Sequence, residues 1–186
     1  MPRIKVIQQE EAEGRLKEIY EELEKTRGKL AEVHKIQSLR PESIEKHMDL
    51  YMEIMYSNSV LSRADREMIA TVVSAANECT YCQNHHANAL NNYWKDDEKV
   101  LQLRKDLEKV DLSQKEMSLC RFARHLTKNP GDHENRDFTE PLRSCGLDDK
   151  AILDTVLVTT YFNFVNRIVI SLGLELEDDH GKGYKY

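Results

Sequence analysis

A chain of 186 residues has room for one domain, or for two small halves that share a core. Its 40% apolar and 32% charged residues suit a helical protein with much solvated surface, and apolar residues recur too regularly for disorder. The 27 Lys and Arg against 33 Asp and Glu leave a net charge of −6, which gives no electrostatic footprint for nucleic acid or an anionic membrane.

The first stretch, MPRIKVIQQEEAEG, lacks the apolar centre of a secretory signal. No apolar run is read as reaching the roughly 18 residues of a membrane span, so a cytoplasmic protein is expected. With 7 Gly and 4 Pro, the chain reads as long helices joined by short connections. EEAEGRLKEIYEELEKTRG puts Leu16, Ile19, Tyr20 and Leu23 at helical spacing, with Gly28 as a stop. PESIEKHMDLYMEIMYSNS opens on Pro41, a residue at home in a first helical turn. Its Ile44, Met48, Tyr51, Met52 and Met55 form a stripe expected to pack in a core.

SRADREMIATVVSAANE begins at Ser62 as N-cap, with Asp65 three residues on. CTYCQNHHANALNNYW is the next helix, its end packed by Tyr93 and Trp94, and DEKVLQLRKDLEKV another. SQKEMSLCRFARHLTKNPG runs from a Ser113 cap to a stop at Asn129-Pro130-Gly131; His125 and His133 read as capping or solvated residues. NRDFTEPLRSCG is a short helical candidate that contains Pro141. LDDKAILDTVLVTTYFNFVNRIVISLG includes strand-like VLVTTYF, but no partner strands are evident, so it is assigned as a buried helix ending at Gly173. Asn163, Asn166 and Arg167 lie on that apolar helix and need partners, structural hydrogen bonds first. EDDHGKGYKY, residues 177–186, is expected to be an exposed, flexible tail.

A faint echo suggests two repeated halves. MIATVVSAANECTYC beside ILDTVLVTTYFNFVN matches Thr71 with Thr155 and Val72 with Val156, and sets Asn163 and Asn166 opposite Cys79 and Cys82.

The chemistry concentrates in ECTYCQNHH. Cys120 and Cys145 lack close partners and read as small buried apolar residues, whereas Cys79 and Cys82 form a close pair of the kind that is catalytic or metal-binding in a reducing compartment. At about 100° per residue, Cys79, Cys82 and His86 fall within a sector of about 60° on one helix. His86 is then the ring that addresses both sulfurs, and His85 points elsewhere, to a solvated or packing role. The start of a helix also stabilises a thiolate, and a second thiol one turn on traps its oxidised form as a disulfide. Structural zinc would want a second ligand pair, which is missing; haem attachment would want histidine where Gln83 stands; a thioredoxin-type motif would want a βαβ context. No metal and no tightly bound cofactor are expected.

RADREMIATVVSAANECTYCQNHHANAL resembles the core of the AhpD-like alkylhydroperoxidases, within the carboxymuconolactone decarboxylase superfamily. Glu67, twelve residues before Cys79, and His86, four after Cys82, stand at the family's positions, and TTYFNFVNRIVISLGLEL looks like the tail of its peroxidase-related branch. The resemblance covers most of residues 40–176. It implies an all-α fold in one domain, a homo-oligomer (trimer or hexamer), and reduction of organic hydroperoxides. In that scheme Cys82 attacks the peroxide, Cys79 closes the disulfide, Glu67 and His86 relay protons, and an external dithiol, a lipoyl group in the best-known members, restores the thiols. One departure stands out: where those members carry a histidine between the cysteines, this chain has Tyr81, which shuttles protons less readily near neutrality but can donate a hydrogen bond to a leaving oxygen. The competing readings are a redox sensor whose disulfide switches an interface, a structural metal domain, and the superfamily's decarboxylase activity.

Overall fold

Capping chemistry sets the helix boundaries. Ser62 Oγ accepts from the Asp65 N–H at 3.0 Å while the Asp65 carboxylate accepts from the Ser62 N–H at 2.9 Å, and Ser113 with Glu116 repeats the exchange. At the far ends, Gly28 and Gly173 take the left-handed conformation that lets a helix close, with φ of 79° and 70°. The computed structural model describes residues 1–177, and among them all regular structure is helical: α1 (Gly14–Arg27), α2 (Glu32–Lys35), α3 (Pro41–Tyr56), α4 (Arg63–Ala76), α5 (Thr80–Trp94), α6 (Asp97–Lys105), α7 (Gln114–Lys128), α8 (Glu140–Ser144) and α9 (Asp149–Leu172).

Several boundaries differ from the sequence reading. The acidic run before α1 makes only a 3-10 turn, Gln9–Glu11. α6 stops at Lys105 because Asp106 turns extended and its side chain caps a further 3-10 turn, Leu107–Lys109, which buries Leu107. Pro141 falls in the first turn of α8, where no N–H is needed, so it shortens that helix without breaking it. In α3, Met52 is exposed and His47 takes the inward place instead. Trp94 packs at the end of α5, but Tyr93 is exposed.

α4 is the centre of the core, packed by α5, α7 and α9, with Ile69, Ala70 and Val73 fully buried. α1 lies on α3 through a smaller cluster built from Leu16, Ile19, Tyr20, Leu23 and Ile44. Contrary to the sequence reading, α9, at 24 residues, is long and apolar enough by length and composition to cross a membrane. Its packing on α3, α4 and α7 through Val158, Phe162 and Val169 identifies it as a core helix. It is not buried all round: Leu153, Leu157 and Phe164 face outward. The internal echo sets the broken α4–α5 segment beside this unbroken helix.

His125 and His133 are neither caps nor freely solvated. Their rings meet at 3.1 Å and stack with Phe138 in a half-buried aromatic corner. At the chain's other end the supposed tail begins with a docked residue, Glu177; residues 178–186 lie outside the described residues.

Candidate functional site

The site is built on the break between α4 and α5. Asn77 closes α4, Glu78 takes a left-handed φ of 58°, and Cys79 emerges extended as the N-cap of α5. A non-glycine residue in that conformation needs support. Asn77 supplies it by donating its side-chain N–H to Asn163 Oδ1 at 3.0 Å and Asn166 Oδ1 at 3.2 Å on α9. Arg167 holds Asn163 in turn, so these polar residues of α9 have the structural role read from the sequence.

Cys79 therefore precedes the helix instead of lying on it, and the sector argument reaches the right pair by a different geometry. An N-cap side chain folds over the first turn, and Cys79 Sγ accepts the Cys82 N–H at 3.4 Å. The two cysteines form a disulfide, their Cα atoms 5.4 Å apart. Both are buried, at 1% and 3% exposure. Of the other thiols, Cys120 is buried, which pushes its pKa well up, while Cys145 is only half-buried beside Ser118.

Glu67 reaches across the break from α4. It is fully buried, and its carboxylate is shared by Arg63 Nη2 at 2.8 Å and His86 Nδ1 at 2.9 Å. His86 stands edge-on to Phe162, ring centres 4.3 Å apart. Its hydrogen bond among the described residues goes to Glu67 and not to a sulfur, contrary to the helical-sector expectation; sulfurs bonded to each other carry no proton to offer it.

His85 has the packing role expected of it and a carboxylate partner besides. It pairs with Glu177 at 2.8 Å and lies against the Tyr81 ring at 4.3 Å. Tyr81 donates its hydroxyl proton to the other Glu177 oxygen at 2.9 Å and accepts the Val33 N–H at 3.3 Å, so its proton is committed to a carboxylate and is not aimed at a leaving oxygen. Burial opposes the charge of Glu177, but the hydrogen bonds from His85 and Tyr81 outweigh it and hold the pKa down at about 2.

His86, Glu67, Tyr81 and His85 bound one side of a cavity of about 100 Å³. Its other side brings in residues that sequence reasoning did not single out, His34, His47 and Tyr161, and two of the α3 stripe, Met48 and Tyr51. Burial pushes His47 down to about 4; burial, with the charges of His47 and Arg27 adding, pushes His34 down to about 3. A signal for His47 was present: it lies three residues after Ile44 and four before Tyr51, on their face. Among the described residues, no group of three or more His, Cys, Asp or Glu is arranged to hold a metal ion.

The Carboxymuconolactone decarboxylase family matches residues 41–125. The uncharacterized protein YdfG of Bacillus subtilis (strain 168) is 26% identical over 135 residues, 73% of this chain and 90% of its own length. Two solved structures superpose almost end to end. An uncharacterized peroxidase-related protein with an alkylhydroperoxidase AhpD core, from Ralstonia eutropha JMP134, covers 97% of this chain and 94% of its own, with TM-score 0.85 at 24% identity. An uncharacterized peroxidase-related protein from Silicibacter sp. TM1040 covers 97% and 96%, with TM-score 0.83 at 25% identity. The family match spans α3 to most of α7, and the structural likeness carries the same helical frame on through α9: the chain is similar to the carboxymuconolactone decarboxylase family over that segment and has an AhpD-like fold.

Proposed function

We propose that the protein is a thiol-dependent peroxidase that reduces organic hydroperoxides in the cytoplasm. The observation that carries this reading is a Cys79–Cys82 pair at a helix start, one turn from an imidazole–carboxylate pair that also walls a cavity. In the reduced protein, the Cys82 thiolate attacks the terminal oxygen of ROOH. The O–O bond breaks, the alkoxide leaves as ROH with a proton passed by His86 and Glu67, and Cys82 becomes a sulfenic acid. Cys79 then attacks that sulfur; the S–S bond forms and hydroxide leaves with a proton as water. An external dithiol supplies two electrons and two protons to reopen the disulfide, with a lipoyl group as the candidate donor and no bound cofactor required.

The N-cap amide favours charge on Cys79, which suits it as the sulfur released when the disulfide is reduced. Tyr81, engaged with Glu177, leaves the relay with one imidazole. The exposed stripe Leu153, Leu157 and Phe164 on α9 is the surface we assign to contact between copies in a homo-oligomer.

Burial of both sulfurs favours a second reading, a redox sensor that oxidises once and changes assembly. One experiment separates the two. Supplied with dithiothreitol or dihydrolipoamide, the protein is expected to consume many equivalents of cumene hydroperoxide, and Cys82→Ser to stop turnover. Consumption of a single equivalent with a change of oligomeric state would select the sensor.

A further inference from the structure

Around His47 each hydrogen bond has an assignable donor and acceptor. Gln37 Nε2 lies 2.8 Å from the Val33 carbonyl, which can only accept, so the amide nitrogen is on that side and is a donor. The same nitrogen lies 2.8 Å from His47 Nδ1, which therefore accepts. His47 is uncharged at neutral pH, so its remaining proton sits on Nε2 and is donated to the Tyr161 hydroxyl at 2.7 Å. The Tyr161 oxygen is thus used as an acceptor, and its own proton has no acceptor among the described residues. Tyr161 lines the cavity, and burial raises its pKa well above the ordinary value, so it remains a donor.

Next to it stands His34, 9% exposed, its ring 6.1 Å from that of His47. His34 Nδ1 is buried without a hydrogen-bond partner among the described residues. The Tyr161 proton is a free donor on the cavity wall and matches the oxygen of a ligand hydroxyl group. Around it are the flat faces of Tyr51 and Phe162. Two cations line the cavity, Arg27 and Lys29; Arg27 is already placed over the Tyr51 and Tyr56 rings and bonded to the Tyr56 hydroxyl, so it makes no demand for an anion, and Lys29 is also engaged within the protein.

We propose that the His34–Tyr161 end of the cavity is a subsite for a small, uncharged ring that carries a hydroxyl group. Tyr161 donates to the ligand oxygen. About 100 Å³ limits the ligand to a single ring with small substituents. The inference rests on the peroxidase reading only for the reaction: the substrate class it names is a hydroxylated aryl hydroperoxide, held by its ring hydroxyl with the hydroperoxyl group toward His86.

Unreactive probes test the binding claim by itself. The oxidised full-length chain is titrated with phenol, toluene and benzoate, observed by NMR. Phenol is expected to bind about tenfold tighter than toluene, the hydrogen bond making the difference. Tyr161→Phe should bring phenol to toluene's affinity and leave toluene unchanged. Should that variant fail to fold, the phenol-to-toluene ratio of the unaltered protein decides. Toluene binding as tightly as phenol, benzoate binding tightest, or no binding by any probe overturns the proposal. Vigorous peroxide turnover without a phenol preference would sink the subsite and spare the peroxidase reading; phenol preference without turnover would do the reverse.

Discussion

Four histidines line the cavity, and its two ends use them differently. Toward the disulfide, His86 and His85 each meet a carboxylate, Glu67 and Glu177. Away from it, His47 meets an amide and a phenol, and His34 leaves Nδ1 unpaired. An imidazole beside a carboxylate can pass a proton on; one kept neutral by burial can only hold a fixed pattern of donors and acceptors. The partner and not the ring therefore decides the role: on the readings proposed above, one pair of histidines would move protons and the other would orient a ligand.

The largest effect expected is at the charged end. Glu67→Gln keeps the shape of a fully buried side chain but removes the charge shared by Arg63 and His86. Iodoacetamide alkylation of the reduced protein near pH 7 should slow by about a hundredfold, the scale of a lost general base. His86→Ala should do the same with helicity retained, and the double variant should lose little more, because the two act as one unit. Alkylation at the unaltered rate would remove this pair from thiol activation and erase the distinction between the two ends.

What the sequence made legible follows range. Caps at Ser62 and Ser113 and stops at Gly28 and Gly173 are local chemistry, and those helices fall where they were expected. Cys79 and Cys82 are three residues apart, so their pairing is local too. Glu67 was visible only through the family register, since nothing in its own neighbourhood says that it crosses a helix break. Glu177 and Tyr161 were not legible at all: their partners Tyr81 and His47 lie 96 and 114 residues away, and no periodicity records such contacts. Polar residues on an apolar face, such as His47, are the trace that long-range packing leaves in a sequence.

The neutral end gives the next effect. In an unfolded chain both His34 and His47 would take a proton as pH falls through about 6.5. Folded, they resist until about 3 and about 4. The unfolded state then binds more protons, so the contribution of the neutral rings is whole above pH 6.5 and declines below it. Two such groups give a slope approaching about 2.7 kcal/mol per pH unit below their unfolded pKa. Urea denaturation at pH 7, 6 and 5 measures it, above the range where carboxylates intervene. His47→Gln should halve the slope, and a flat profile would mean that the folded rings accept charge.

Glu177→Gln tests whether the chain end belongs to the charged side. Glutamine can keep the Tyr81 hydrogen bond but not the charge facing His85. Because the folded pKa of Glu177 is lowered to about 2 from the ordinary 4.5, its stabilisation is complete above about pH 4.5 and is lost as pH falls toward 2. Desolvation works against the pair, so the difference from the unaltered protein at pH 7 should be modest, about 1 kcal/mol. That difference should narrow between pH 4.5 and 3 in urea titrations, whereas a gap independent of pH would assign Glu177 to packing alone. Because Glu177 grips residues on either side of Cys82, the same variant should also speed reduction of the disulfide by dithiothreitol. A rate unchanged from the unaltered protein would leave the charged end as the Glu67–His86 pair by itself.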